Sequence, residues 1–218
     1  MKNRERADRI MKILIKEAKI FRKPTIRRIS KEENAFKTLI TCLLSLRTRD
    51  ENTAKASASL FKVADTPEKI VMLTDKKLEK LIHCSGYYKN KAKSIKHVSK
   101  VLLDKYDSKV PSTKEELLSI KGIGPKTANI VLCFAYGKCV IPVDTHVHRI
   151  PNRLGLVKTK TPEQTEVELM KVIPKKYWRE VNTTLIRFGK NICVPISPKC
   201  SMCPISKLCK KIGVGKRR

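Results

Sequence analysis

Acidic residues are scarce in this chain. Of 218 residues only 20 are Asp or Glu, against 49 Lys or Arg, a formal charge of +29 at pH 7. An excess of that size, spread from end to end, points to a polyanionic partner. Nucleic acid comes first, because phosphate contacts supply most of its non-specific affinity. The plainer alternative is a uniformly solvated basic surface. Long apolar runs are also missing. The longest are near TLITCLLSL and NIVLCFAYG, well short of the roughly 18 residues a membrane span needs, so no membrane partner is expected. The opening MKNRERADRIMKILIKEAKIF has Lys12 and Lys16 among its apolar residues and no small-residue cleavage site after it, which excludes a signal peptide and favours an amphipathic helix. There is no internal repeat, no low-complexity tract and little strand signal. The expectation is an intracellular protein, cytoplasmic and nucleoid-associated if prokaryotic, acting as a monomer. Its eight cysteines are then not expected to be paired as disulfides.

What is present is helical spacing and helix punctuation. Glu32 to Leu46 has apolar residues at Phe36, Leu39, Ile40, Leu43 and Leu44. Asp50 is placed to cap a helix to about Phe61. Thr66-Pro67 reads as a cap followed by a first-turn proline. Lys89 to Tyr106 is a long basic amphipathic stretch. Ser112 to Glu115 has a capping-box pattern, and Thr161-Pro162-Glu163-Gln164 combines both signals. Tyr177 to Phe188 is periodic and is expected to end at Gly189. The closing GVGKRR reads as a loose basic tail.

Three motifs carry chemistry. The first is KGIGPKTA, Lys121 to Ala128. Gly122 and Gly124 tolerate backbone angles that other residues resist, and Pro125 suits the first position of a new helix. The pattern is helix, Gly-Ile-Gly hairpin, helix. It turns backbone amides of Gly122, Ile123 and Gly124 outward beside a helix N-terminus, an anion site suited to a DNA phosphate gripped without reading sequence. Lys121 flanks it. Lys126 falls in the first turn of the second helix, among cations and at the edge of an apolar segment. Two roles fit it at this level, amine nucleophile and simple phosphate contact. The second motif is IPVDTH. Asp144 precedes a helical segment from His146 to Leu156. It suits an N-cap, and a carboxylate near a nucleophilic lysine also takes its proton and stabilises positive charge developing on a sugar. His146 and His148 point to nearly opposite sides of a helix, which disfavours a shared metal.

The third motif is CVPISPKCSMCPISKLC. Cys193, Cys200, Cys203 and Cys209 are spaced C-x6-C-x2-C-x5-C. Four thiols in so short a segment imply a metal centre, and the uneven spacing mildly favours an iron–sulfur cluster over zinc. Cys42 and Cys133 lie in apolar helical stretches and read as core, while Cys84 and Cys139 are scattered.

The order KGIGPKTAN, VDTH and the four-cysteine run resembles endonuclease III, the iron–sulfur helix-hairpin-helix DNA glycosylase with lyase activity. The resemblance runs from the N-terminal helix to Cys209. It implies an all-α, two-domain fold: residues 28–138 as a barrel of helices, and residues 1–27 joined to 139–218 as a domain holding a 4Fe–4S cluster on the four cysteines. It implies double-stranded DNA with a damaged base or abasic site as substrate, bound across the cleft between the domains. Lys126 matches the Schiff-base lysine and Asp144 the catalytic aspartate. The cluster's part would be to order a loop whose Lys199 and Lys207 meet phosphate. Two positions depart from the bacterial pattern. In SLRTRDENT, Arg47 stands where a glutamine fills the gap left by the flipped base. In HCSGYYKNKA, Tyr87 stands in place of a leucine wedge; it suits stacking, with half-buried packing as the plainer alternative. The function expected is removal of oxidised pyrimidines with strand nicking by β-elimination. The alternatives are a monofunctional glycosylase for mismatched or alkylated bases, against which Lys126 argues, and a non-enzymatic DNA-binding module with a structural metal.

Overall fold

The computed structural model describes residues 3–29 and 34–218. Among them there are twelve α-helices, three short 3-10 turns and no strand, so the chain is all-α as expected. It divides into two compact units, residues 25–138 and residues 1–24 with 139–218.

The continuous unit holds α2 (Thr25–Ile29), α3 (Ala35–Ser45), α4 (Asp50–Phe61), α5 (Pro67–Met72), α6 (Asp75–Ile82), α7 (Tyr88–Tyr106), α8 (Lys114–Ser119) and α9 (Pro125–Phe134). Two of these are buried almost all round. In α3, eight residues from Phe36 to Leu44 are buried, and α9 is buried from Thr127 to Phe134. They pack on each other, α2 and α4 pack on α3, and α7 packs on α5 and α6. Helices that are apolar on every side belong at the centre of a bundle, so the second helix of the hairpin is built into the core of its unit.

The other unit brings α1 (Asn3–Glu17) from the N-terminus to α10 (Thr145–Leu154), α11 (Pro162–Val172) and α12 (Trp178–Asn191). One face of α1 (Ala7, Ile10, Met11, Leu14) joins a core with Val147, Ile150, Leu185 and Phe188. At the edge of that face an Asp8 carboxylate is held between Lys12 at 2.8 Å and Lys176 at 3.0 Å. Hydrogen bonds from Lys12 and Lys176 hold that carboxylate down at about 2.

The caps explain most helix boundaries. Thr66 and Thr161 accept from the third residue of their helices, and Thr161 with Gln164 completes a capping box. Four expectations need correction. The cap of α8 is Thr113, bonded to the Glu116 amide, one residue later than the pattern at Ser112. Asp50 does not cap α4; its carboxylate accepts from the Thr25 amide at 2.9 Å and ties α2 to α4. Gly189 does not end α12, which runs on to Asn191. A Cβ at Gly189 would stand 2.3 Å from His146 Nδ1, so this glycine serves the close approach of α12 to α10. The closing segment is tied in, since the Arg218 amide donates to Pro198 O and its carbonyl accepts from Ser201 N. Of the stretch expected from Glu32, the start lies outside the described residues; Asn34 caps the helix from Ala35.

Candidate nucleic-acid interface and cysteine-lined pocket

The hairpin joins α8 to α9 through Ile120–Gly124. Gly122 has φ +100°, where a side chain is strained. Gly124 does not need glycine's freedom: its φ is −94°. A Cβ on either residue would meet nothing within 4 Å. Neither strain nor packing requires glycine at position 124; it serves as the N-cap of α9, and its bareness leaves the hairpin amides open to approach. Ile123 departs from the expectation: its amide donates to Ile120 O at 3.0 Å inside the turn, and its side chain, 5% exposed, anchors the turn in the core. What the hairpin presents is backbone. The amides of Gly122, Gly124, Lys126 and Thr127 donate to nothing among the described residues. Free amides at the start of a ten-residue helix make a site for an anion.

Lys126 stands half-buried in the first turn of α9, and Lys121 is exposed beside it. The Lys126 ammonium has no hydrogen bond or ion pair among the described residues. Cys42 on α3 is fully buried, with its sulfur 3.6 Å from Thr127 Oγ1, next in sequence to Lys126. Burial raises the Cys42 thiol, and the charge of Lys126 opposes that rise. The thiol therefore stays protonated, as suits a small buried group of the core.

In the same unit, Arg47 and Tyr87 come together. The Arg47 guanidinium lies 5.9 Å from the centre of the Tyr87 ring, within cation–π range. Both residues have left-handed backbones, φ 51° and φ 57°. Tyr87 is 64% exposed, so half-buried packing does not describe it.

In the other unit, Asp144 caps α10. Its Oδ1 accepts from the amides of His146 at 2.9 Å and Val147 at 2.8 Å. Its Oδ2 makes no hydrogen bond among the described residues. The capping role and a free carboxylate oxygen thus coexist on one side chain. His148 is engaged by Thr165 at 2.6 Å, and His146 by Arg149 at 3.1 Å.

Cys193, Cys200, Cys203 and Cys209 line one pocket with about 400 Å³ of empty space, its open mouth included. Ile150, Leu154, Phe188 and Ile205 form its apolar floor, and Lys199 is at its edge. Lys207 is exposed on the 3-10 turn just before Cys209. Among the described residues, no three His, Cys, Asp or Glu groups converge as one metal ion requires. Burial pushes the Cys203 thiol up to about 11, and it raises Cys209 as well. Thiolates here need a cationic group to hold them. The surrounding donors already point that way: Arg153 donates to Cys193 Sγ at 3.5 Å, and the Lys211 amide to Cys209 Sγ at 3.3 Å. Four sulfurs line one apolar pocket, and N–H donors are aimed at two of them, a donor set whose chemistry suits a thiolate-held metal group. Two arginines were not legible in the sequence. Arg149 donates to Cys193 O at 2.9 Å, and Arg153 to Val194 O at 2.7 Å and Pro195 O at 2.5 Å, so α10 holds the start of the cysteine segment. Their i, i+4 spacing was the only available signal. All eight cysteines are free.

An all-helical bundle presenting bare hairpin amides beside a half-buried lysine defines the class: helix-hairpin-helix proteins that grip a phosphate backbone. A family model described as HhH-GPD superfamily base excision DNA repair protein matches residues 40–175. Endonuclease III of Thermotoga maritima is 47% identical over 180 residues, 83% of this chain and 84% of its own. A solved non-covalent endonuclease III–DNA complex is similar, with 37% identity and TM-score 0.77 over 82% of this chain and 84% of that one. A trapped endonuclease III–DNA covalent intermediate matches with 35% identity and TM-score 0.77 over 85% and 94%. The chain belongs to the endonuclease III family within the HhH-GPD superfamily of base excision DNA repair proteins.

Proposed function

We propose that this protein is a bifunctional DNA glycosylase and abasic-site lyase of base excision repair, with oxidised pyrimidines as its substrates. The observation that carries this reading is Lys126, half-buried in the first turn of α9 next to unpaired hairpin amides. A damaged nucleotide in a duplex has to leave the stack before a side chain reaches its sugar. The amides of Gly122 and Gly124, with Lys121, hold a backbone phosphate beside Lys126. Lys126 Nζ, as the free amine, attacks C1′, and the base departs with the electrons of the glycosidic bond. The amine loses its proton, the sugar ring opens, and an iminium joins C1′ to Nζ. That iminium acidifies the C2′ proton. Loss of the proton expels the 3′ phosphate and nicks the strand. Asp144 Oδ2 takes the amine proton, hands it to O4′ as the ring opens, and then accepts the C2′ proton; in its ionised form it is a counter-charge to the developing sugar cation.

Arg47 and Tyr87 fill the vacated space in the duplex, Tyr87 by stacking and Arg47 by contacts to the orphaned base. Cys193, Cys200, Cys203 and Cys209 would hold a 4Fe–4S cluster, which when bound supplies a fixed tie between segments of this loop. Lys199 and Lys207 are then held where they meet phosphate. Eight free thiols suit a reducing cytoplasm.

The test is nicking of a duplex with one abasic site. Lys126→Gln is expected to abolish nicking while duplex affinity stays within about threefold, because the backbone amides that dominate phosphate gripping are untouched. Nicking at the parent rate would defeat the assignment.

A further inference from the structure

Lys91 is 8% exposed, one of few charged residues so deeply buried, and no carboxylate pairs with it among the described residues. Its ammonium donates to Leu44 O at 2.7 Å, Thr48 Oγ1 at 2.7 Å and Ser85 Oγ at 2.8 Å. An ammonium has three donors, and all three are used. The acceptors come from two segments far apart in sequence. Leu44 and Thr48 flank Arg47, and Ser85 precedes Tyr87 by two residues. Further bonds knit the same seam. The Gly86 amide donates to Thr48 Oγ1 at 3.1 Å, and Ser85 Oγ donates to Leu44 O at 3.0 Å. A Cβ at Gly86 would stand 3.0 Å from Arg47 O, so the two backbones are in close approach.

The seam ends in two residues whose backbones a side chain disfavours, Arg47 and Tyr87, both left-handed. Such geometry persists only where the surroundings over-determine it, and it clusters at working parts of a protein. Burying an unpaired cation is costly. Three charge-assisted bonds offset that cost, and what they fix is the spacing of the two loops.

We propose that Lys91 is a positioning residue for duplex recognition: its ammonium latches the Arg47 loop to the Tyr87 loop and presents the two side chains as one preformed reading unit. The proposal rests on the reading above that Arg47 and Tyr87 enter the duplex. Preformation removes the ordering cost that two separate loops would carry at the moment of binding.

The experiment compares excision from a thymine-glycol duplex with lyase activity on a single-stranded abasic oligonucleotide, where no gap needs filling. A 2-aminopurine opposite the lesion reports unstacking by its fluorescence. Lys91→Met removes the ammonium, and Thr48→Val removes one acceptor and leaves the lysine. Arg47→Ala and Tyr87→Ala serve as references. Both latch variants are expected to lower the duplex to single-strand activity ratio by about 10- to 100-fold, the range in which small misplacements away from the chemistry act, and to quench the 2-aminopurine rise. If the Arg47 and Tyr87 variants lower the ratio while folded Lys91→Met and Thr48→Val keep it, the latch is overturned. Where Lys91→Met does not fold, Thr48→Val decides alone. If Arg47→Ala and Tyr87→Ala leave the ratio unchanged, the reading of the pair fails and the latch fails with it.

Discussion

Asp144 divides its work between two oxygens. Oδ1 caps α10 through two amides, and Oδ2 is free of hydrogen bonds among the described residues. Asparagine caps about as well as aspartate, so Asp144→Asn separates the roles. We expect unchanged thermal stability with turnover lower by about 10²- to 10⁴-fold, the scale of a lost acid–base group. A drop of only a few-fold, in single-turnover kinetics, would leave Asp144 as a cap and nothing more. Lys91 gives a pH signature of its own. Burial pushes its ammonium down to about 8 from 10.5. Between those values the unfolded chain binds the proton and the folded chain releases it, so stability rises with pH there. That contribution is complete above 10.5 and is lost as pH falls through about 8. Urea melts across this window should show the rise in the parent protein and a flatter profile in Lys91→Met; equal slopes would contradict a buried ammonium. Lys126 and Asp144 were legible because each sits in a short motif beside its own turn or cap. Lys91 was not, because its partners are a carbonyl 47 residues away and two hydroxyls that carry no charge pattern.

At the scale of elements, punctuation was readable where one local bond decides it. Thr66 and Thr161 cap as their sequences suggest. Signals failed where a distant partner outbids the local one. Asp50 bonds Thr25 instead of its own helix, and Gly189 makes room for His146 instead of ending α12. The two hairpin glycines differ. Gly122 needs its φ of +100°, as the turn pattern implies, while Gly124 caps α9 at an ordinary φ of −94°. Gly124→Ala is expected to cost about 0.5–1 kcal/mol of stability, as replacing a favoured N-cap residue by alanine does. It should weaken abasic-duplex binding by about tenfold, some 1.4 kcal/mol. Fluorescence anisotropy and a denaturant melt check both halves. Unchanged affinity of the folded variant would mean that the hairpin does not meet DNA through Gly124.

Across the whole molecule, the charge of +29 and the four-cysteine run set the reading before any fold was known. The first names a polyanion, and the second names a metal centre. Neither locates a reaction. All-helical class was legible because nearly every segment repeats its apolar residues at helical spacing. The arrangement of α1 with α10 and α12 was not, since nothing local in α1 records which distant helices cover its apolar face. The central claim, a lysine that bonds to the sugar, is tested most directly by borohydride trapping. The protein is incubated with a duplex carrying one abasic site, reduced with borohydride, digested, and the adduct mapped by mass spectrometry. The account predicts a covalent adduct on Lys126 that disappears in Lys126→Gln. No adduct with binding intact, or an adduct on another lysine, would contradict it.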